Sequence, residues 1–346
     1  MITKRILILR FSALGDILIL LPLLKSIQNK NTNYHFTVAS IPKLAFLFKD
    51  IPNVDFIGVD FKENYKGFKG IFDLFHVFYG YKFDAVLDLH DVIRTKVLKL
   101  LFQMVKTPVF TFQKGRAEKK KLIKDNVKIL PNLQTTFERY FAGFKALDNE
   151  FEIIDNQYFE KLELNEKCAA FLGNFDSKWI GIAPFSKHKS KEYSLEKIRE
   201  IVNSFSNKIE VKFIFFGYGE AEKNQIDSIF KDNEKVKNAI SKFTFEEECA
   251  MISNLDIMIS MDSANGHISA LFGVPTLTIW GATHPIIGFK PYNQSQENQI
   301  IPNLDIYPNL PLSVYGKVAN KGYENIINSI QLEQIVIRIE EILKLR

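Results

Sequence analysis

Cysteine is nearly absent from this 346-residue chain. The two present, Cys168 and Cys249, stand far apart and in no metal-ligand or redox spacing. That argues against a disulfide framework, a thiolate zinc site and a dithiol oxidoreductase, and leads to the expectation of a reducing compartment. There is no Asp-x-Asp pair and no His-Glu-x-x-His, and the six histidines are scattered, so metal catalysis is not suggested. Long apolar runs are missing too. The richest, Ile17 to Leu24, contains Pro22 and follows Arg10 and Asp16, well short of the ~20 apolar residues of a membrane span. It is followed by no signal-peptide cleavage pattern. A cytoplasmic protein is expected.

What is present is ordinary for a packed enzyme: 46% hydrophobic and 25% charged residues, in a chain longer than one hydrophobic core usually supports. Net charge is +5, unevenly spread, because residues 1–165 carry 25 Lys and Arg against 18 Asp and Glu. The densest part is Lys114 to Lys121, with Lys124 and Lys128 following. Such a run reads either as a solvated face or loop, or as a contact for an anionic acceptor, an anionic membrane surface or nucleic acid.

Hydrophobic periodicity gives two cycles of alternating strand and helix. Arg5 to Phe11 reads as a strand and passes through Ser12 to Asp16 into a helix over Ile17 to Gln28. Further strands are expected at Tyr34–Ser40, Val54–Val59 and Ala85–Leu89. After a polar stretch from Asp148 to Lys167, strands recur at 179–184, 211–216, 256–260 and 275–280. Helices are expected at 194–204, 245–254, 266–272 and 332–345, the first with Ser194 as N-cap. The expected fold class is therefore α/β, with two Rossmann-like domains facing a cleft, residues 1–165 and 166–346. The last helix is drawn as packing back on the first domain.

Four segments fall where strands of open α/β sheets hand over to helices, the usual place for ligands. In Met261 to His267, Asp262, Ser263 and the backbone N–H groups following them stand at a helix start, where unpaired donors and the helix dipole attract phosphate. A plain N-cap at Asp262 or Ser263 is the competing reading, whereas a hydrolase triad of Asp262, Ser263 and His267 is too cramped to work. Pro184 to Lys191 offers Ser186 and three lysines, Lys187, Lys189 and Lys191, able to neutralise a diphosphate. Gly217 to Glu222 lacks the third glycine of a dinucleotide fingerprint, and Glu222 or Glu220 suits a ribose hydroxyl instead. Asp16, at the start of the first helix, is placed to cap that helix or to take a proton from an acceptor.

In order along nearly the whole chain, these segments resemble the bacterial heptosyltransferase family, glycosyltransferase family 9. The resemblance runs through Ile6 to Ile17 with Leu21-Pro22, Asp84 to His90, Glu138-Arg139-Tyr140, Pro184 to Leu195, Asp262-Ser263 with His267, Phe272 to Pro275, and Trp280 to Pro285. It implies a B-type glycosyltransferase fold and inverting transfer of heptose from ADP-heptose to lipopolysaccharide core, with no metal or other cofactor. By motif position it implies Asp16 as base and Lys191 as the phosphate-binding lysine. Asp262, Ser263, Ala264, Asn265 and His267 become the diphosphate segment, joined by Ser186 and Lys187, with Glu222 on the ribose and Phe243 beside the base. Ser12 and Gly15 are assigned to an anionic glycolipid acceptor, together with Arg94, Lys114, Arg116 and Lys120, which are placed there by their charge more than by motif. The family's glycine is Ala264 here, and its acceptor-side glutamine is His90.

The implied partners are thus a nucleotide-sugar donor and an anionic glycolipid, with peripheral contact at the inner membrane face, no nucleic acid, and a monomeric chain. Rival readings are a related transferase using another nucleotide sugar, an NAD(P)-dependent oxidoreductase, and a non-catalytic polyanion-binding protein.

Overall fold

The structure is a computed structural model that describes residues 3–31, 33–124, 132–173, 176–208, 210–317, 323 and 326–344. The chain forms two compact units, Met1–Gly115 with Thr136–Gln157, and Arg116–Thr135 with Tyr158–Arg346. The division therefore falls between Gln157 and Tyr158 instead of at 165/166, and hydrogen bonds explain why. Ser26 Oγ donates to Ile154 O at 2.8 Å and Asn29 pairs with Gln157 at 2.9 Å, tying residues up to 157 to the first unit. Phe159 N donates to Leu271 O in the second unit. Lys114 of the basic segment stays with the first unit, but from Arg116 onward the segment belongs to the second, where Leu133 N donates to Ile286 O and Lys119 Nζ lies 4.2 Å from the Phe289 ring centre. Lys128 lies outside the described residues.

The first unit contains β1 (Lys4–Leu9), α1 (Leu14–Lys30), β2 (Tyr34–Ser40), β3 (Val54–Gly58), α2 (Gly67–Gly80), β4 (Ala85–Asp88), α3 (Ile93–Met104) and β5 (Val109–Thr111). Next in the chain, α4 (Arg116–Lys124) belongs to the second unit, and α5 (Thr136–Leu147) returns to the first. The strands pair in parallel in the order β3-β2-β1-β4-β5. Central β1 buries Ile6 to Leu9 completely, as a strand covered on both faces must. Helix α1 is buried from Ile17 through Leu24 and continues through Pro22, consistent with an apolar surface all round.

In the second unit α6 (Glu166–Leu172) precedes β6 (Lys178–Ala183), α7 (Leu195–Ser204), β7 (Val211–Phe215), α8 (Glu220–Ile229) and β8 (Val236–Asn238). There follow α9 (Phe245–Ser253), β9 (Ile257–Met261), α10 (Ala264–Leu271), β10 (Thr276–Ile279), β11 (Gln299–Ile300) and α11 (Leu332–Leu343). This sheet is parallel as well, in the order β11-β10-β9-β6-β7-β8. Ser194 caps α7 as expected, its side chain accepting from Lys197 N. The short strands β5, β8 and β11 were not anticipated, since two or three residues are too few to show a period.

The last helix does not return to the first domain. Its buried residues, Ile335, Ile339 and Leu343, recur every four positions and so form one stripe. That stripe joins Ile198, Ile201 and Val202 of α7 in the second unit's core. Among the described residues no helix is long and apolar enough to cross a membrane. Truncating the fully buried Ile339 to alanine is expected to cost about 2–5 kcal/mol. Both tryptophans, Trp179 and Trp280, lie in the second unit, so a lower urea midpoint by tryptophan fluorescence checks this directly.

Candidate functional site

In the second unit, the loops after β6, β9 and β10 converge at the carboxyl edge of neighbouring strands. Lys191 Nζ donates to Asp262 O at 2.7 Å and to Asp262 Oδ2 at 3.0 Å, and both side chains are nearly buried, 11% and 12% exposed. Thr283 Oγ1 donates to the same carboxylate oxygen at 2.9 Å. The β6 and β10 loops are also joined by Ala282 N donating to Ser190 O. Gly281 makes that approach possible, because a Cβ there would lie 2.1 Å from Ser190 O. From the other side Gly316, at φ +95°, packs on the Lys191 stem so closely that a Cβ would fall 2.8 Å from its Cδ.

The simple N-cap reading of this segment does not hold. Ser263 occupies the N-cap position of α10, but its hydroxyl meets Ser260 Oγ at 3.1 Å and makes no bond to the first turn. The carboxylate of Asp262 is engaged by Lys191 and Thr283. Ser263 therefore does not cap the N–H groups that open α10, and Ala264, Asn265 and His267 are half-buried around them. Gly266 lies against Ser260, with space for a Cβ only 3.3 Å from Ser260 Oγ, which lets the helix start sit close to the strand end.

The three lysines before α7 separate by environment. Lys187 is exposed, and Lys189 pairs with Glu192 at 2.6 Å on the surface. Glu192 also accepts from Ser186 N at 3.1 Å. Only Lys191 is drawn to the α10 start. Glu222 turns back on its own loop, Oε2 accepting from Tyr218 N at 2.7 Å, and burial pushes its carboxyl above the usual carboxylate range. Gly217 has no room for a side chain there, since a Cβ would lie 2.5 Å from Glu222 Oε2. Phe243 meets Phe171 of α6 edge to face at 4.9 Å, with Lys167 Nζ 4.5 Å from its ring centre.

The first unit gathers a separate cluster at the ends of β1 and β4. Arg10 is buried, donates to Leu89 O at 2.6 Å and forms an ion pair with Asp16. Its guanidinium lies 5.7 Å from the ring centre of buried Tyr140. Asp16 is about a quarter exposed, and its second carboxylate oxygen accepts no hydrogen bond among the described residues.

Next to it His90 accepts from Phe11 N through Nδ1 and meets Ser12 Oγ at 3.1 Å through Nε2. An accepting Nδ1 leaves the proton on Nε2, so this imidazole donates to Ser12. Burial above all, and then the charges of Arg10, Lys114 and Arg94, lower its pKa to about 3. Lys114 donates to Asp91 O at 3.2 Å, and Arg94 stacks 4.5 Å from the Phe61 ring centre. Gly15 is in the first turn of α1, whereas Arg116 and Lys120 ride on α4 of the second unit.

Two residues that matter to these clusters were missed. Arg10 ends a strand and could have been found as a charge at the end of an apolar run; Thr283 carried no local signal. Among the described residues no group of three or more His, Cys, Asp or Glu is placed to hold a metal ion.

The sequence model of glycosyltransferase family 9 (heptosyltransferase) matches residues 71–311. The chain belongs to this family. It is a glycosyltransferase, similar to the lipopolysaccharide core heptosyltransferase OpsX of Haemophilus influenzae, with 24% identity over 96% of this chain and 95% of the relative. A lipooligosaccharide heptosyltransferase 2 of Campylobacter jejuni is 29% identical over 45% of this chain and 54% of that protein. The family 9 glycosyltransferase structure from Veillonella parvula superposes with a TM-score of 0.75 at 19% identity, covering 99% of this chain and 98% of that one. The E. coli ADP-heptose heptosyltransferase II structure gives 0.69 at 15% identity, covering 99% of each. The expected α/β fold of paired Rossmann-like sheets is thus found.

The neutral His90 of this family 9 chain has a measurable consequence. Its folded pKa lies below the ~6.5 of an unfolded histidine, so the unfolded state takes up a proton that the folded state refuses. The stability it contributes is full above ~6.5 and is lost as pH falls toward 3. Buried His284, lowered to about 4, acts in the same direction. His90→Gln is expected to flatten the fall in stability between pH 6.5 and 4, measured by urea unfolding followed by far-ultraviolet circular dichroism at stepped pH. An unchanged slope would contradict a buried, neutral imidazole.

Proposed function

We propose that this family 9 enzyme transfers a heptose from ADP-heptose to a lipopolysaccharide-core or related glycolipid, inverting the anomeric carbon without a metal. The observation that carries the reading is Lys191 held at the uncapped start of α10. An ammonium group has three protons, and two of those on Lys191 are directed at Asp262, which leaves the third for a phosphate oxygen. The first N–H groups of α10 and the helix dipole favour the same anion. As the bond to the anomeric carbon breaks, charge grows on the departing diphosphate, and these fixed donors stabilise it.

Asp262 is a positioning residue in this scheme. Its carboxylate would repel a phosphate, and it holds the lysine instead. Ser263, Ala264, Asn265 and His267 line the first turn, with Ser186 and Lys187 on the adjoining loop. Glu222 offers its remaining oxygen to a ribose hydroxyl, and Phe243 serves the base. Asp16 accepts the proton of the acceptor hydroxyl through the oxygen that Arg10 leaves open, so that the oxygen attacks as the proton departs. Ser12 and Gly15 flank it. Arg94, Lys114, Arg116 and Lys120 meet acidic groups of the glycolipid, which places the enzyme at the inner face of the cytoplasmic membrane. Ala264, with a methyl group where the family has glycine, favours keeping a related nucleotide sugar as the second reading.

Thermal stabilisation by ADP-, UDP- and GDP-sugars separates the two donors, because a ligand that binds the native state raises apparent stability with its occupancy. ADP-heptose is expected to give the largest shift. Asp16→Asn and Lys191→Ala are each expected to lower kcat by about 100-fold or more while the fold persists. Chelator is expected to leave turnover unchanged, and the product to carry the inverted anomer by nuclear magnetic resonance. Wild-type turnover in both variants would overturn the scheme.

A further inference from the structure

Helices α2 and α3 pack side by side on one face of the first unit's sheet, with Phe75 and Phe102 edge to face at 5.1 Å between them. Each also keeps a second set of apolar residues away from that core. On α3 the buried positions are Thr95, Leu98 and Phe102. Ile93, Leu100 and Met104 are 75%, 62% and 80% exposed. At 100° per residue, positions 93, 100 and 104 fall within about 40° of one another and opposite the buried stripe. On α2, exposed Phe68, Phe72 and Tyr79 fall on one stripe by the same count. Most of the large hydrophobic side chains exposed on the described chain lie between residues 68 and 105. Apolar exposure gathered in this way marks an interaction surface, whereas single exposed residues are ordinary.

The charges on these two helices are predominantly positive. Between them they carry Lys69, Arg94, Lys96 and Lys99 against a single acid, Asp73. Aromatic and aliphatic side chains on the outer stripes, with lysine and arginine beside them, suit a helix pair lying in the headgroup layer of an anionic bilayer. Tyr79 and Tyr81, both exposed, are the residue type that partitions to that boundary.

We propose that the outer face of α2 and α3 docks the enzyme on an anionic lipid surface. This rests on the reading that the acceptor is a glycolipid, and it places membrane contact on these helices, whereas the sequence had pointed to the lysine run now found on α4. Docking holds the enzyme where its acceptor is confined, so it acts on encounter with lipid-borne acceptor and leaves the transfer step itself unchanged.

The test is flotation of the full chain with vesicles of phosphatidylcholine alone or mixed with phosphatidylglycerol. The wild type is expected to float with the anionic vesicles. The triple variant Phe72→Ser, Leu100→Ser, Met104→Ser is expected to lose at least tenfold in vesicle affinity. Its kcat/KM should fall on vesicle-borne acceptor and be unchanged on the same glycan freed of lipid. Equal flotation of wild type and triple variant would overturn the proposal. So would a wild-type dimer in sedimentation velocity that the triple variant dissolves, since a second copy would then cover the face. Should the triple variant fold poorly, the charge reversal Lys69→Glu with Lys96→Glu must weaken anionic-vesicle binding, and unchanged binding counts against the proposal. If the wild type floats but transfers nothing to the lipid-free glycan, the functional reading fails while the docking surface stands.

Discussion

The pairing of Lys191 with Asp262 organises the second unit's strand ends. It joins the loop after β6 to the loop after β9, and Thr283 brings in the loop after β10. A nearly buried carboxylate and ammonium must find each other, because leaving either alone in that environment costs far more than the pair itself contributes. That need draws three separate loops to one point beside the α10 start. Gly281 and Gly316 follow from it, since the chain can come this close only where no side chain intervenes. A preset cation beside uncapped N–H groups is what an anionic leaving group needs, with no reorganisation at the moment of reaction.

The first unit solves a different problem. Arg10 is buried at the end of β1 and is matched by Asp16, a backbone carbonyl and the face of Tyr140. Beside it His90 is kept neutral by burial and by neighbouring positive charge, so it serves as a fixed donor to Ser12. Asp16 is thereby held by one oxygen and open at the other, the arrangement a positioned base requires. The helices on the outside of this unit carry exposed apolar residues away from the core, with basic residues among them.

Much of this was legible in the chain itself. Short β-rich runs ending in Ser-Ala-Leu-Gly-Asp or Met-Asp-Ser-Ala-Asn located both strand-end loops, because apolar runs and turn residues are local signals. The Ser194 cap was readable for the same reason. What resisted reading was long-range. Thr283 acts through Asp262, 21 residues away, and no spacing rule reveals it, whereas Arg10 left a local trace as a charge at the end of an apolar run. Asp262 is the clearest case: its sequence position suggested a cap or a ligand contact, and only its partner, 71 residues away, makes it a holder of Lys191. The unit boundary was displaced because hydrogen bonds from residues 26 and 29 claim the polar stretch up to 157. The last helix was misplaced because an amphipathic stripe declares that it packs, without declaring against what.

The sequence by itself determined the fold class, the order of the longer strands, the family, and which loops face the carboxyl ends of the sheets, since each follows from periodicity, turn chemistry or ordered motifs. Tertiary structure alone decided which lysine of three is drawn to the start of α10, that Asp262 orients it, that His90 is neutral, and that α2 and α3 leave apolar residues uncovered. These depend on burial and on distances between residues far apart in the chain, and a linear sequence contains neither.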